Sequence, residues 1–158
     1  MKNTRDLRNT FGVLPTGVVI VSLNDDAGYA TGVTIGSFTS LSLSPALCLF
    51  SLEKIQPSAR LFKKGVSYVV NVLPHHLSDL AWQFAKSSED KCAGVKMMET
   101  MVDAPRLSDS IAHFVCRTHT IHEGGDHIIV IGEIVDFNHS DGEALVFCRG
   151  SMHRTVPL

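Results

Sequence analysis

Seven short runs of β-branched and apolar residues, each closed by turn-forming residues, restrict this chain more than any other feature. They are Thr16 to Leu23, Tyr29 to Ile35, Ala46 to Leu52, Val66 to Leu73, Phe114 to Ile121, His127 to Phe137 and Ala144 to Cys148. Runs of this length and composition read as strands. Asn24-Asp25-Asp26-Ala27-Gly28 joins the first two as a hairpin connection, and Asp141-Gly142 is a turn dipeptide ahead of the last. The order predicts an antiparallel meander. The parallel βαβ alternation of a dinucleotide-binding fold is missing.

Helical periodicity surfaces in three places. From His75 to Lys86 the residues Leu77, Leu80, Ala81, Phe84 and Ala85 share one face, with Pro74 marking the start. A shorter helix is predicted over Pro57 to Lys64, with Lys63 and Lys64 in its last turn and Gly65 as its stop. A third is predicted near Thr4 to Val13. Between Ser87 and Asp109 the pattern is polar and broken, which predicts a long connection with at most one helical turn. The expected fold class is all-β with a few short helices, an antiparallel barrel closed or nearly closed, because closure removes exposed strand edges. Such a barrel fills its interior with its own side chains. A ligand must then sit on the outer wall or in a groove between subunits, which makes a homodimer the expected functional unit.

Composition narrows the classes. A length of 158 residues suits a single domain, since domains commonly run to roughly 100–150 residues. With 14 Lys and Arg against 16 Asp and Glu and no basic run, duplex nucleic acid is a poor partner, because binding it requires neutralising several phosphates at once. The four cysteines form no CxxC pair and read as reduced, mostly buried thiols. No apolar stretch approaches the roughly 20 residues that span a bilayer, and the N-terminus lacks a signal-peptide pattern, so the expectation is a cytoplasmic protein with no membrane contact. Cys116, His119 and His122 invite a metal reading, but strand alternation would point Cys116 and His122 one way and His119 the other. No metal site is expected. No Ser/His/Asp order, P-loop or paired-carboxylate arrangement points to a hydrolase.

The most informative segment is Gly32-Val-Thr-Ile-Gly-Ser-Phe-Thr-Ser-Leu-Ser-Leu-Ser-Pro45. Glycines and small hydroxyl residues interrupt an apolar strand and continue past its end, and Gly32 and Gly36 permit close backbone approach. Such donors suit the O2, N3, O4 and N5 edge of an isoalloxazine ring or a phosphate. A plain strand end followed by a Ser-rich loop has the same composition. Gly124-Gly125-Asp126-His127 forms a tight turn that projects His127 from the start of a strand, either across a groove or into water.

Taken in order, four motifs resemble the flavin reductase-like family of FMN-binding split barrels, over nearly the whole chain. They are Phe11-Gly-Val-Leu-Pro15-Thr16-Gly17-Val-Val-Ile-Val, the Gly32 to Pro45 segment, Val69-Val-Asn71-Val-Leu, and Gly125-Asp126-His127 leading to Gly132-Glu133-Ile134-Val135. The resemblance is to the reductase partners of two-component flavin monooxygenases. It implies an antiparallel split β-barrel, a homodimer, FMN or FAD as the flavin, NADH or NADPH as hydride donor, and a separate monooxygenase that receives the reduced flavin.

Carried over residue by residue, it places Thr34, Ile35, Gly36 and Ser37 along the flavin ring, with Pro15 and Thr16 close by and Ser40 further along. Ser51, Leu52, Lys54 and Ser58 would hold the ribityl phosphate. Ser58 would precede the first turn of a short helix, whose dipole favours an anion, and Lys54 would add a mobile charge or simply face solvent. Phe84 matches a helix aromatic near the flavin and is equally a core residue. Lys91 and Gly94 match a loop over the cofactor, although Cys92 stands where relatives carry an aromatic. His127 would be the catalytic residue beside the nicotinamide, where hydride transfer needs stacking at short distance more than a proton donor. Arg149 either pairs with a pyrophosphate or faces solvent. A flavoprotein electron carrier that retains FMN, and a non-enzymatic split-barrel binding module, are the alternatives to a reductase.

Overall fold

The computed structural model describes residues 3–88 and 90–158. In chain order its elements are α1 (Thr4–Phe11), β1 (Thr16–Gly17), β2 (Val19–Asn24), β3 (Ala30–Ile35), β4 (Thr39–Leu43), β5 (Ala46–Glu53), a 3-10 turn (Pro57–Leu61), β6 (Ser67–Val72), a 3-10 turn (His75–Leu77), α2 (Ser78–Ala85), β7 (Met97–Met98), β8 (Arg106–Leu107), β9 (Ala112–Gly124), β10 (His127–His139), β11 (Leu145–Cys148) and β12 (Ser151–Arg154). The protein is mostly β with two short α-helices. Every run expected to be a strand contains one. Among the described residues, no helix is long and apolar enough to cross a membrane.

Seven strands form one antiparallel sheet in the order β3-β2-β6-β9-β10-β5-β4, and β1, β11 and β12 form a second, three-stranded sheet. The expected closure by strand pairing is not seen: β3 and β4 are the two ends of the large sheet. One side chain bridges part of the gap. The Ser37 hydroxyl accepts from the Ser51 main-chain N–H at 2.9 Å and donates to the Ser51 carbonyl at 3.0 Å.

Alternation along the strands builds the core. Val19, Val21 and Leu23 of β2, Val33 and Ile35 of β3, and Cys48, Phe50 and Leu52 of β5 point inward to meet Tyr68, Val70, Cys116 and Val130. Phe50, Phe62 and Tyr68 pack edge to face at 5.4–5.6 Å between centroids, a favoured aromatic geometry. Gly132 lies directly under Tyr68, so that a Cβ there would overlap the phenol oxygen.

Three local expectations change. The helix expected over Pro57 to Lys64 is a five-residue 3-10 turn, and Ser58 lies within it rather than ahead of it. Its backbone closes by short-range bonds such as Ala59 N–H to the Gln56 carbonyl at 2.9 Å, so the helix-dipole argument for Ser58 lapses. Among its described residues the long connection carries no helical turn but a two-stranded ribbon, β7 with β8. Buried Asn71 pins that ribbon: its amide donates to the Ile20 carbonyl and Ser22 Oγ, both at 2.9 Å, and its oxygen accepts from Leu107 N–H at 2.9 Å. Finally, a register shift in β9 passes over His119, leaving Cys116 buried while His119 and His122 are both exposed. An extra residue in one strand reverses the alternation beyond it, so Cys116 and His122 do not share a face as simple alternation predicts.

Candidate active site

Strand β3 and helix α2 organise the candidate site. The helix lies across the outer face of the strand, where Phe84 rests on Gly32 and the Thr34 hydroxyl donates to the Ala81 carbonyl at 2.6 Å. A Cβ on Gly32 would stand 2.9 Å from two Phe84 ring carbons. Gly32 is therefore required for close packing of the helix. Phe84 is fully buried, which decides between its two readings: it is a core residue, and no surface of it is left for a flavin. Leu52, 3% exposed, likewise packs inward with the core.

A cavity opens at each end of this contact. The first, of about 460 Å³, is lined by Thr31 and Gly32 of β3, Ser58 and Arg60 of the 3-10 turn, and Ser87 and Lys91 beyond α2, with Asp25 at its side. Ser58 is 7% exposed, and among the described residues its buried hydroxyl has no hydrogen-bond partner. An unpaired buried hydroxyl costs stability unless a ligand satisfies it. Lys91 Nζ donates to the Phe84 carbonyl at the end of α2, at 3.0 Å, and burial pulls its pKa below the ordinary lysine value. Asp25 and Asp26 are engaged. The Asp25 carboxylate accepts from the Ala27 and Tyr29 N–H groups at 2.9 Å, and Asp26 pairs with Arg60 at 2.5 Å.

The second cavity, of about 150 Å³, is lined by Thr16, Val18, Thr34, Ile35, Gly36, Ala81, Trp82, Ala85, Phe147 and Met152. It is almost wholly apolar, and the Thr34 hydroxyl on its wall is already spent on Ala81. Gly36 sits against Thr16, whose hydroxyl would be 3.1 Å from a Cβ at that position. Just outside, Gly36 and Ser37 are exposed, and among the described residues their main-chain N–H groups make no hydrogen bond to protein. Besides the Thr16 hydroxyl and the Trp82 indole N–H, the donors this wall offers are main-chain groups. The Ser37 hydroxyl, like that of Thr34, is occupied within the protein.

The remaining candidates lie elsewhere. Pro15 is exposed just ahead of β1, and Ser40 is exposed on β4 opposite Cys48. Lys54 does not line the Ser58 cavity. It pairs with Glu123, and its N–H donates to the Asp126 carbonyl at 3.0 Å, so it belongs to the β9–β10 turn. His127 stands at that turn opposite Glu53, with Nδ1 2.7 Å from the Asp126 carboxylate. This bond holds the Asp126 carboxyl below its ordinary pKa. Gly94, at φ +71°, lines a third depression with His76 and Lys96 and is separate from Lys91's cavity. Arg149 lies not beyond the last strand but in the β11–β12 hairpin turn, with φ 50° ahead of Gly150 at 80°. Sequence reasoning misses Trp82, Phe147 and Met152. Trp82, the only tryptophan, falls off the apolar face of α2, and β12, which delivers Met152, is too short and polar to stand out as a strand run.

A group able to occupy both cavities would carry an anion at one end and an aromatic ring at the other. The cavities are three to four residues apart along one strand, or roughly 10–13 Å at the rise of extended chain. This spacing is within reach of a ribityl chain, so the residues present fit a flavin mononucleotide moiety.

Comparison with known proteins agrees. Residues 11–155 match the model of the flavin reductase like domain. The chain is 33% identical over 147 residues to the reductase component of a flavin-dependent trigonelline monooxygenase of Acinetobacter baylyi, covering 93% of this chain and 47% of that protein. It is 32% identical over 146 residues to the stachydrine N-demethylase reductase subunit of Rhizobium meliloti, covering 92% and 64% respectively. The chain thus spans about half to two-thirds of the length of these curated relatives. The Streptomyces globisporus NADH:FAD oxidoreductase, solved with NAD and FAD fragments, superposes with a TM-score of 0.90 at 33% identity, covering 98% of this chain and 94% of that one. With the four motifs, the two cavities on β3 and a matching fold, the chain belongs to the flavin reductase-like family.

Proposed function

We propose that this chain is one flavin reductase-like unit, an NAD(P)H:flavin oxidoreductase that reduces FMN or FAD and hands the reduced flavin to a partner monooxygenase in the cytoplasm. The observation that carries this reading is the pair of cavities at the two ends of the β3–α2 contact, one with an unsatisfied buried hydroxyl beside a lysine and the other apolar. The bound flavin would supply the hydride acceptor.

The chain's own residues bind and orient. Ser58 and Lys91 hold the phosphate, giving the hydroxyl the partner it lacks and the ammonium a counter-charge. The main-chain N–H groups of Gly36 and Ser37 would meet the polar edge of a bound ring and would favour negative charge there. His127, fixed by Asp126, orients the nicotinamide without exchanging a proton with it. Arg149 stays a candidate for a pyrophosphate contact, and Pro15, Ser40 and Ser51 border the ring wall.

The open sheet supports a split-barrel description, with the seam between β3 and β5 strapped by Ser37. Edge strand β4 presents Leu41 and Leu43, the latter 94% exposed. An apolar edge of this kind supports burial against a second copy in a homodimer.

The test is oxidation of NADH and NADPH by the purified chain with FMN or FAD supplied, followed by loss of the reduced-nicotinamide absorbance. Flavin-dependent turnover is expected. Binding of flavin without turnover would favour an electron carrier, and failure to bind any flavin would reduce the chain to a binding module of another kind.

A further inference from the structure

Half of the residues lining the cavity beside Thr34 lie outside the motifs. Trp82 of α2 is 44% exposed and stands edge-on to Phe147 of β11, with centroids 6.2 Å apart and planes at 79°. Met152 of β12 and Ala81 and Ala85 of α2 complete the apolar wall. A cavity of 150 Å³ is of the size that accepts one benzene ring, and too small for a tricycle. Among the described residues, its side-chain polar groups without a protein partner are the Thr16 hydroxyl and the Trp82 indole N–H, too few for a heterocyclic edge with several acceptors, which would be left partly unsatisfied inside it. Unpaired N–H groups lie instead at its mouth, on Gly36 and Ser37.

We propose that Trp82, braced by Phe147, binds the dimethylbenzene end of the flavin ring in this cavity and so sets the ring's orientation, with its pyrimidine end directed out to Gly36 and Ser37. The inference rests on the flavin reading above and adds which end of the ring enters and which residue grips it. A half-exposed indole held rigid by a second ring offers a flat, polarisable surface at little entropic cost, which suits a planar aromatic ligand. Phosphate contacts at Ser58 cannot set the ring's orientation, since the ribityl chain between them is flexible. Trp82 therefore decides how the ring lies.

Because Trp82 is the only tryptophan, its fluorescence reports on the cavity directly. Titration with FMN and with riboflavin should quench it stoichiometrically. Trp82→Ala should weaken both flavins about tenfold or more, and Trp82→Phe should restore most of the affinity. A flavin bearing a dimethylamino group in place of the 8-methyl should bind the native protein poorly and be rescued by Trp82→Ala, because the enlarged cavity admits the extra bulk. Circular dichroism of both variants checks that they fold. Unquenched tryptophan together with native-like flavin affinity in Trp82→Ala would overturn the assignment while leaving the reductase reading intact. Binding of the bulky flavin to the native protein as tightly as riboflavin would overturn it in the same way. Absence of flavin binding to the native protein would overturn the reductase reading itself, and this assignment with it.

Discussion

The inside of the large sheet and the outer wall of β3 use the same residue types for opposite ends. Inside, Gly132 lies under Tyr68, and Cys48 and Cys116 sit 3.7 Å apart beside the phenol. Burial holds Tyr68 in its neutral form. Outside, Gly36 backs onto Thr16 with its N–H exposed, and Ser58 keeps a buried hydroxyl unpaired. Gly132 inside serves packing, as Gly32 does under α2, whereas Gly36 at the wall leaves its main chain open. Substitutions inside should therefore cost stability without changing ligand preference, and those of wall groups that the protein leaves unpaired should do the reverse.

The largest effect should come from Gly132→Ala. Its Cβ would collide with Tyr68, which is confined by Phe50 and Phe62, and overpacking of this kind costs about 3 kcal/mol. Thermal or denaturant unfolding measures it, and the comparison fails if stability is native-like. Next is Ser58→Ala. FMN affinity should fall about tenfold, the loss of roughly one charge-assisted hydrogen bond, while riboflavin affinity holds steady and unliganded stability rises as the unpaired hydroxyl is removed. Calorimetric titration with the two flavins reads the difference, and an equal loss for both would move the phosphate away from Ser58.

Lys91 sharpens the comparison through pH. Its folded-state pKa is depressed by burial, so as pH rises through the window between that value and the ordinary one, the folded chain sheds its proton before the unfolded chain does. Unliganded stability should therefore gain with pH in that window. FMN affinity should decline over the same range as the ammonium is lost, and riboflavin affinity should not. Lys91→Met should flatten both trends in melting and binding curves taken across alkaline pH. The smallest effect is expected of Thr34→Val, which removes the bond to Ala81. A loss of about 1 kcal/mol in stability with nearly unchanged riboflavin binding would confirm that this hydroxyl belongs to the fold, whereas a large loss of flavin affinity would return it to the ligand.

Much of this is legible in the residues. The strand runs, the apolar face of α2 and the cluster of small residues from Gly32 onward are local patterns, and strand alternation and helical period translate them directly into structure. The family resemblance likewise rests on contiguous motifs. What local pattern does not carry is long-range or fine-grained. Lys54 and Ser58 are only four residues apart, yet a turn sends one to Glu123 and the other into the cavity. Phe84 has two readings until Gly32 is found beneath its ring.

The amino-acid order by itself determined the strands, their antiparallel sequence and the small-residue wall, because backbone propensity and hydrophobic period act over a few neighbours. Only the tertiary structure decided which hydroxyls are free. Ser37 and Thr34 are spent on Ser51 and Ala81, while Ser58 is left over, and hydrogen-bond satisfaction depends on distant partners, 47 positions away in the chain for Thr34. The aromatic wall of Trp82, Phe147 and Met152 has the same origin, since it exists only where a helix and a distant hairpin meet.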